Sequence, residues 1–305
     1  MLSRDKIIEI FCIADDFCKE FDTHMKEMTL KADGKRHRNR KASLSDAEIM
    51  TILICFHFGS FRCFKHYYLH YVKVHLSDMF TDAVSYNRFV ELESKVSIQM
   101  MLFLQLCCFG ECSGISFVDS TCVPVCHNKR IKRNKVFKGY AERGKSTMGW
   151  FYGFKLHIIC NERGEILNFI LTRGNVDDRD DMVFNRLSDN IIGKLYADKG
   201  YVSQTLFDKL FSNDIHIVTG LRANMKNKLM PLYDKIMLRK RSVIETINDE
   251  LKNVAQLVHS RHRSLNNFLM NVLAVIAAYT FFDKKPSINI DYEIEAFDGQ
   301  LTLFN

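Results

Sequence analysis

"GISFVDSTCVPV", residues 114–125, decides the reading of this chain. Ile115, Phe117, Val118 and Val123 give it the aromatic and β-branched texture of a buried strand, and Asp119 is set into it. An ionised carboxylate in an apolar strand costs several kcal/mol unless something pairs with it, so Asp119 needs a partner. The plainer alternative is that the strand stops there and "DST" is a turn whose carboxylate bonds its own backbone.

Outward from this run the texture stays strand-like. "WFYGFKLHIIC", "EILNFILT", "IGKLYAD" and "IHIVTG" follow, the first two of them joined by the hairpin signal "NERG" with Gly164. Helical patterns, "DDMVFNRLSDN" and "SQTLFDKLFSND", come after the third and fourth of the five runs. The order βββαβαβ predicts an α/β domain: a mixed five-stranded sheet, three strands meandering and two added through helical crossovers, flanked by helices.

Before residue 110 the periodicity is helical. Ile7, Ile10, Phe11, Ala14, Phe17, Cys18 and Phe21 recur at helix spacing behind Ser3, and Ser45 with Glu48 forms a capping box at "LSDAEIM", with Leu44 placed to staple onto Ile49. The expected organisation is an all-helical region over 1–110, an α/β core over 111–285 and an acidic tail over 286–305. The longest apolar stretch, 268–282, is shorter than the ~20 residues that span a bilayer and reads as a buried helix, with no membrane role expected.

The 43 Lys and Arg against 36 Asp and Glu leave +7, unevenly spread, which makes polyanions plausible partners. "KRHRNRK" (35–41) is one basic run. A second, 127–145, carries Lys129, Arg130, Lys132, Arg133, Lys135 and Lys138, then Arg143 and Lys145, with Phe137 and Tyr140 interleaved; a solvated loop is the bland reading and a phosphate-backbone contact the sharper one. A third, 221–241, has seven basic residues opposed only by Asp234 and is expected to be loop-rich. The N-terminus meets charged residues almost at once, so no secretory signal is expected and the cytoplasm is the expected location. The ten cysteines then read as reduced core residues; Cys122, Cys126 and His127 lack the paired spacing of a zinc site.

Asp198 ends the fourth run as Asp119 does the first. If those strands are neighbours, both carboxylates emerge at one sheet edge and repel each other unless a cation lies between them, and Mg²⁺ suits hard oxygen ligands that leave room for water and phosphate. A third carboxylate is available in Glu245, with Arg241 four residues before it and Lys252 seven after; at 100° per residue the three share one helix face. A salt-bridged solvated face is the competing reading. The four acids of "NVDDRDD" precede a helix and read as caps, and His157 reads as a satisfied strand histidine.

From "LSDAEIMTILICFHFGSFRCFKHYYLHY" through "FVDST", "GWFYGFKLHII", "RGNVDDRD", "ADKGY" and the Glu245 helix to "RHRS", the chain resembles the DDE transposases of bacterial insertion sequences, most closely insertion-sequence family nine-eight-two. The resemblance implies a ribonuclease-H-like core, a metal-binding catalytic triad of Asp119, Asp198 and Glu245, and DNA contacts from Arg241 and Lys252 at the R-x3-E-x6-K signature. It implies Mg²⁺, with Mn²⁺ able to substitute, and metal-dependent cleavage and strand transfer of double-stranded DNA at terminal inverted repeats and target. A homodimer is implied in the synaptic complex. One departure is visible: the wider signature has a tyrosine three residues before the arginine, where this chain has Leu238. A nuclease or resolvase on the same core, and a non-catalytic DNA-binding descendant, are the alternatives.

Overall fold

The computed structural model describes residues 2–33, 43–59, 61–147, 149–221, 225, 229–258 and 262–288. Within them the chain forms two compact units, one of Met1–Cys108 with Glu250–Phe282 and one of Phe109–Asp249 with the segment from Asp283. Residues 250–282, expected in the core, thus pack with the helical unit.

In the helical unit Arg4–Asp33 is a single helix, longer than its apolar periodicity indicated, and Ser3 Oγ accepts from the Lys6 amide at 3.2 Å. Asp46–Phe56 follows behind the expected capping box: Ser45 accepts from the Glu48 amide while Glu48 accepts from the Ser45 amide. Phe64–His75, Tyr86–Glu93 and Ser94–Cys108 continue in short helical pieces that switch between α, 3₁₀ and π winding. Leu265–Thr280, capped by Ser264, is buried almost throughout.

The other unit is built on a six-stranded sheet: β1 (Ile115–Cys126), β2 (Glu142–Ser146), β3 (Gly149–Asn161), β4 (Ile166–Arg173), β5 (Gly193–Ala197) and β6 (Ile215–Thr219). The order is β2-β3-β1-β5-β6, and β4 also pairs with β3. β1, β3 and β4 form the antiparallel meander, and β5 and β6 are added in parallel after the helices Asp181–Leu187 and Gln204–Phe211, a ribonuclease-H-like arrangement. The extra strand, β2, lies in the basic run of 127–145, for which no strand was expected. "ERGKS" has no apolar alternation to announce it, and its ladder to β3 makes it a strand. The third basic run also departs from expectation, because Leu232–Lys240 is helical.

Period-2 alternation sorts β1 onto two faces. Val118 joins Ile159, Leu195, Ala197, Phe184 and Leu206 in the core beneath Asp181–Leu187 and Gln204–Phe211. Phe117 points the other way and stacks on Tyr196, whose hydroxyl donates to Asp234 at 2.8 Å. Lys194 Nζ reaches the same carboxylate at 2.7 Å, which is why a 4% exposed Asp234 is tolerated. Asp119, two residues after Phe117, shares that second face.

Candidate active site

Asp119 is a strand residue, in register with Ile158 of β3, and not part of a turn. Burial pushes its carboxyl up to about 6, the nearby Arg241 guanidinium pulls it back, and Glu245 repels it further. The partner its sequence position demanded is found in the helix Ser242–Asp249 and the residue that precedes it. Asn248 Nδ2 donates to Asp119 Oδ2 at 3.0 Å, and Arg241 Nη1 lies 3.8 Å from Asp119 Oδ1. Arg241 Nη2 donates to Glu245 Oε1 at 2.5 Å. One guanidinium therefore lies between two carboxylates from different elements.

Asp198 stands where β5 ends, exposed, its carbonyl accepting from the Tyr201 amide at 3.0 Å. The parallel register pairs Phe117 with Tyr196, an offset of 196 − 117 = 79. Asp119 and Asp198 differ by the same 79, so extending this register two positions past its last pair would bring Asp198, just beyond β5, level with Asp119 within β1. Among the described residues no group of three His, Cys, Asp or Glu side chains is drawn together tightly enough to hold a metal ion. The donor set still suits a hard divalent cation: carboxylate oxygens only, two of them already sharing a positive charge.

Lys252 does not extend the Arg241–Glu245 face as expected. The α-helix ends at Asp249 and Glu250–Val254 wind as a π-turn, so the 100° step fails before Lys252. Asn248 carried no signal by residue type. Its position did, because seven residues after Arg241 is two turns, on nearly the same helix face.

Behind β1, on the Val118 side, lies a polar cluster that cap chemistry did not foretell. Asp178 Oδ1 accepts from Ser120 Oγ at 2.9 Å and from Lys155 Nζ at 3.0 Å, with His157 Nδ1 3.9 Å away. His157 is fully buried, is pushed down to about 4 by burial, and meets Thr172 Oγ1 through Nε2 at 2.9 Å. Of the four acids expected as caps, Asp180 does cap, accepting from the Met182 amide, whereas Asp177 is held well below the usual carboxylate range by Arg179. Lys129, Arg130, Lys132, Arg133, Lys135 and Lys138 are all exposed on and after a 3₁₀ turn, Asn128–Arg133, with no ion pair among the described residues. The basic 35–41 run lies outside the described residues, and so does most of the acidic tail. All ten cysteines are free thiols. No helix among the described residues is long and apolar enough to cross a membrane.

A family model described as "Transposase DDE domain" matches residues 109–265, just over half of the chain. No curated protein matches. Two transposase complexes are among the similar solved structures. A cryo-EM structure of a piggyBac transposase synaptic complex with hairpin DNA is 12% identical with a TM-score of 0.45, over 92% of this chain and 72% of that one. The crystal structure of the Mos1 strand transfer complex is 12% identical with a TM-score of 0.23, over 86% and 84%.

Proposed function

The chain belongs to the transposase DDE domain family, and from that premise we propose that it is the transposase of a bacterial insertion sequence, which binds the element's ends, cleaves DNA there and joins the freed 3′ end to a target. Asp119, Asp198 and Glu245 are the proposed catalytic triad and Mg²⁺ ligands, with Mn²⁺ able to substitute. The observation that supports this most is the setting of Asp119: it shares Arg241 with Glu245, and it lies on the strand that pairs in parallel with β5, which ends just before Asp198.

When bound, divalent metal would supply Lewis acidity at the attacking and leaving oxygens of a phosphodiester. The chain's own groups do the rest. Asn248 holds one oxygen of Asp119, and Arg241, near the other, keeps two carboxylates close that would otherwise repel. Swinging Arg241 from the carboxylates to a phosphate would free the pair for a cation while the guanidinium took the DNA backbone. The six exposed cations of 129–138 and, by the family signature, Lys252 are the further DNA contacts of this reading, and two copies are expected to synapse two ends.

The test is incubation with the DNA flanking the gene, with and without Mg²⁺, and separately with an end already cut to a 3′-OH. Joining of the pre-cut end establishes a transposase. Cleavage without joining would leave a nuclease, and binding without either a non-catalytic descendant.

A further inference from the structure

The helical unit holds a cavity of about 770 Å³ that the carboxylates on the sheet do not use, walled by residues from 53–93 and 262–271. Phe56, Phe64 and Tyr86 give it flat aromatic surfaces. Arg62, Lys65 and Arg263 stand exposed on the same lining with no ion pair among the described residues, and Lys65 Nζ lies 5.7 Å from the centre of the Tyr86 ring. The solvent side of the cavity is therefore cationic.

Its buried groups accept hydrogen bonds. Glu93, the last residue of Tyr86–Glu93, lines the cavity at 6% exposure and makes no hydrogen bond or ion pair among the described residues; burial alone raises its carboxyl to about 8. A carboxyl buried without a partner costs stability that the fold does not recover. His57, 2% exposed on the same lining, sets Nδ1 2.7 Å from the Ala255 carbonyl oxygen. A carbonyl only accepts, so Nδ1 carries the hydrogen, and burial that lowers the ring to about 4 leaves Nε2 a bare acceptor.

A molecule that fits must donate inside and be anionic outside. An amine or guanidinium head would satisfy the carboxylate but would meet three like charges on the way in. A neutral planar head with N–H donors and a phosphate tail suits both ends, and the volume is that of a small-ligand site. Among the DNA bases only guanine sets two N–H donors side by side, N1–H and the exocyclic amine, to face both oxygens of one carboxylate. Adenine and cytosine put a bare ring nitrogen beside their amine, and thymine flanks its N–H with carbonyls. We propose that this cavity binds a guanine nucleotide, with the base edge on Glu93 and the phosphate on Arg62, Lys65 and Arg263. The inference goes beyond the transposase reading and does not rest on it, because none of these residues is a metal ligand or DNA contact of that reading.

The full-length chain is titrated with dGMP by calorimetry at pH 8.5, where Glu93 ionises, with dAMP as the control. dGMP is expected to bind at least about tenfold tighter than dAMP. Glu93→Gln should weaken dGMP about 10- to 150-fold, the worth of hydrogen bonds to a charged group, while its melting temperature does not fall. Arg62→Gln with Lys65→Gln, both exposed, should weaken dGMP about tenfold and leave deoxyguanosine, which lacks the phosphate, unchanged. Competition by oligothymidylate carrying one central guanine, against the same strand carrying adenine there, locates the source. Stronger displacement by the guanine strand makes the ligand an unpaired guanine of DNA, equal displacement makes it the free nucleotide, and both keep the site. dGMP bound no tighter than dAMP, or bound equally by the parent and folded Glu93→Gln, overturns the site and leaves the transposase reading standing. Failure of the flanking DNA to be cut or joined would in turn leave the dGMP result untouched.

Discussion

At the scale of single residues, the site turns on charges that cannot be left alone. Asp119 is 23% exposed, and its two partners come from one helical segment, so removing the carboxylate should spare the fold while ending the chemistry. Asp119→Ala and Asp198→Ala are each expected to abolish nicking and joining while leaving end binding within about tenfold, measured by gel shift beside a cleavage assay, because metal ligands and DNA contacts are separate groups. Glu245→Gln keeps the shape but not the charge, and joining should fall by at least ~10³, whereas Asp249→Asn, exposed at the helix end, should change it by less than ~10-fold. A dead Asp249→Asn beside an active Glu245→Gln, at matched Mg²⁺ and again in Mn²⁺, would move the third ligand. Asn248→Leu removes the donor to Asp119 and should cost about 10-fold in joining with end binding unchanged, a loss that Asn248→Gln should not repair because the longer side chain misplaces the amide.

At the scale of elements, the helical unit holds a titration the sequence conceals. Glu93, at the end of the helix Tyr86–Glu93, is 6% exposed, and burial raises its carboxyl from 4.5 to about 8. The folded chain therefore keeps this proton where the unfolded chain has released it, so the stability Glu93 contributes is whole below about pH 4.5 and is lost as pH rises through about 8. Glu93→Gln takes that dependence away. Its melting temperature is expected to match the parent near pH 4.5 and to exceed it near pH 8.5, by up to about 4 kcal/mol in stability. Equal melting temperatures at both pH values would refute it. Caps and amphipathic helices such as Ser45–Glu48 were legible in the sequence because they depend on residues three or four apart. β2 was not, because "ERGKS" is a strand only through its partner across the hairpin.

For the molecule as a whole, the +7 charge acts through where it is held. Lys129, Arg130, Lys132 and Arg133 project from one short turn, so replacing all four with Gln should lower the slope of log affinity against log salt by roughly 0.9 for each phosphate no longer neutralised, with little change in thermal stability. A salt slope identical to that of the parent would remove this segment from the DNA surface. The compact units divide the chain differently from the expected 111–285 core, with Leu265–Thr280 in the helical unit: the helix is apolar on nearly every face, and such a helix announces burial without saying in which unit it is buried.

Local pattern was enough for the α/β class, the meander followed by crossovers, the caps, and the placement of two acids at the ends of apolar runs, all of which depend on neighbours along the chain. Long-range packing governed the rest. Only pairing across the sheet puts β5 beside β1 in a register that runs toward Asp119 and Asp198, and only the packing of Ser242–Asp249 brings Asn248 and Arg241 to Asp119. It alone sent Asp178 behind β1 to Ser120 and Lys155 instead of to a helix cap. A buried charge takes its partner from whatever element the pleat turns it toward, and that direction depends on pairing across distances in sequence that no local pattern records.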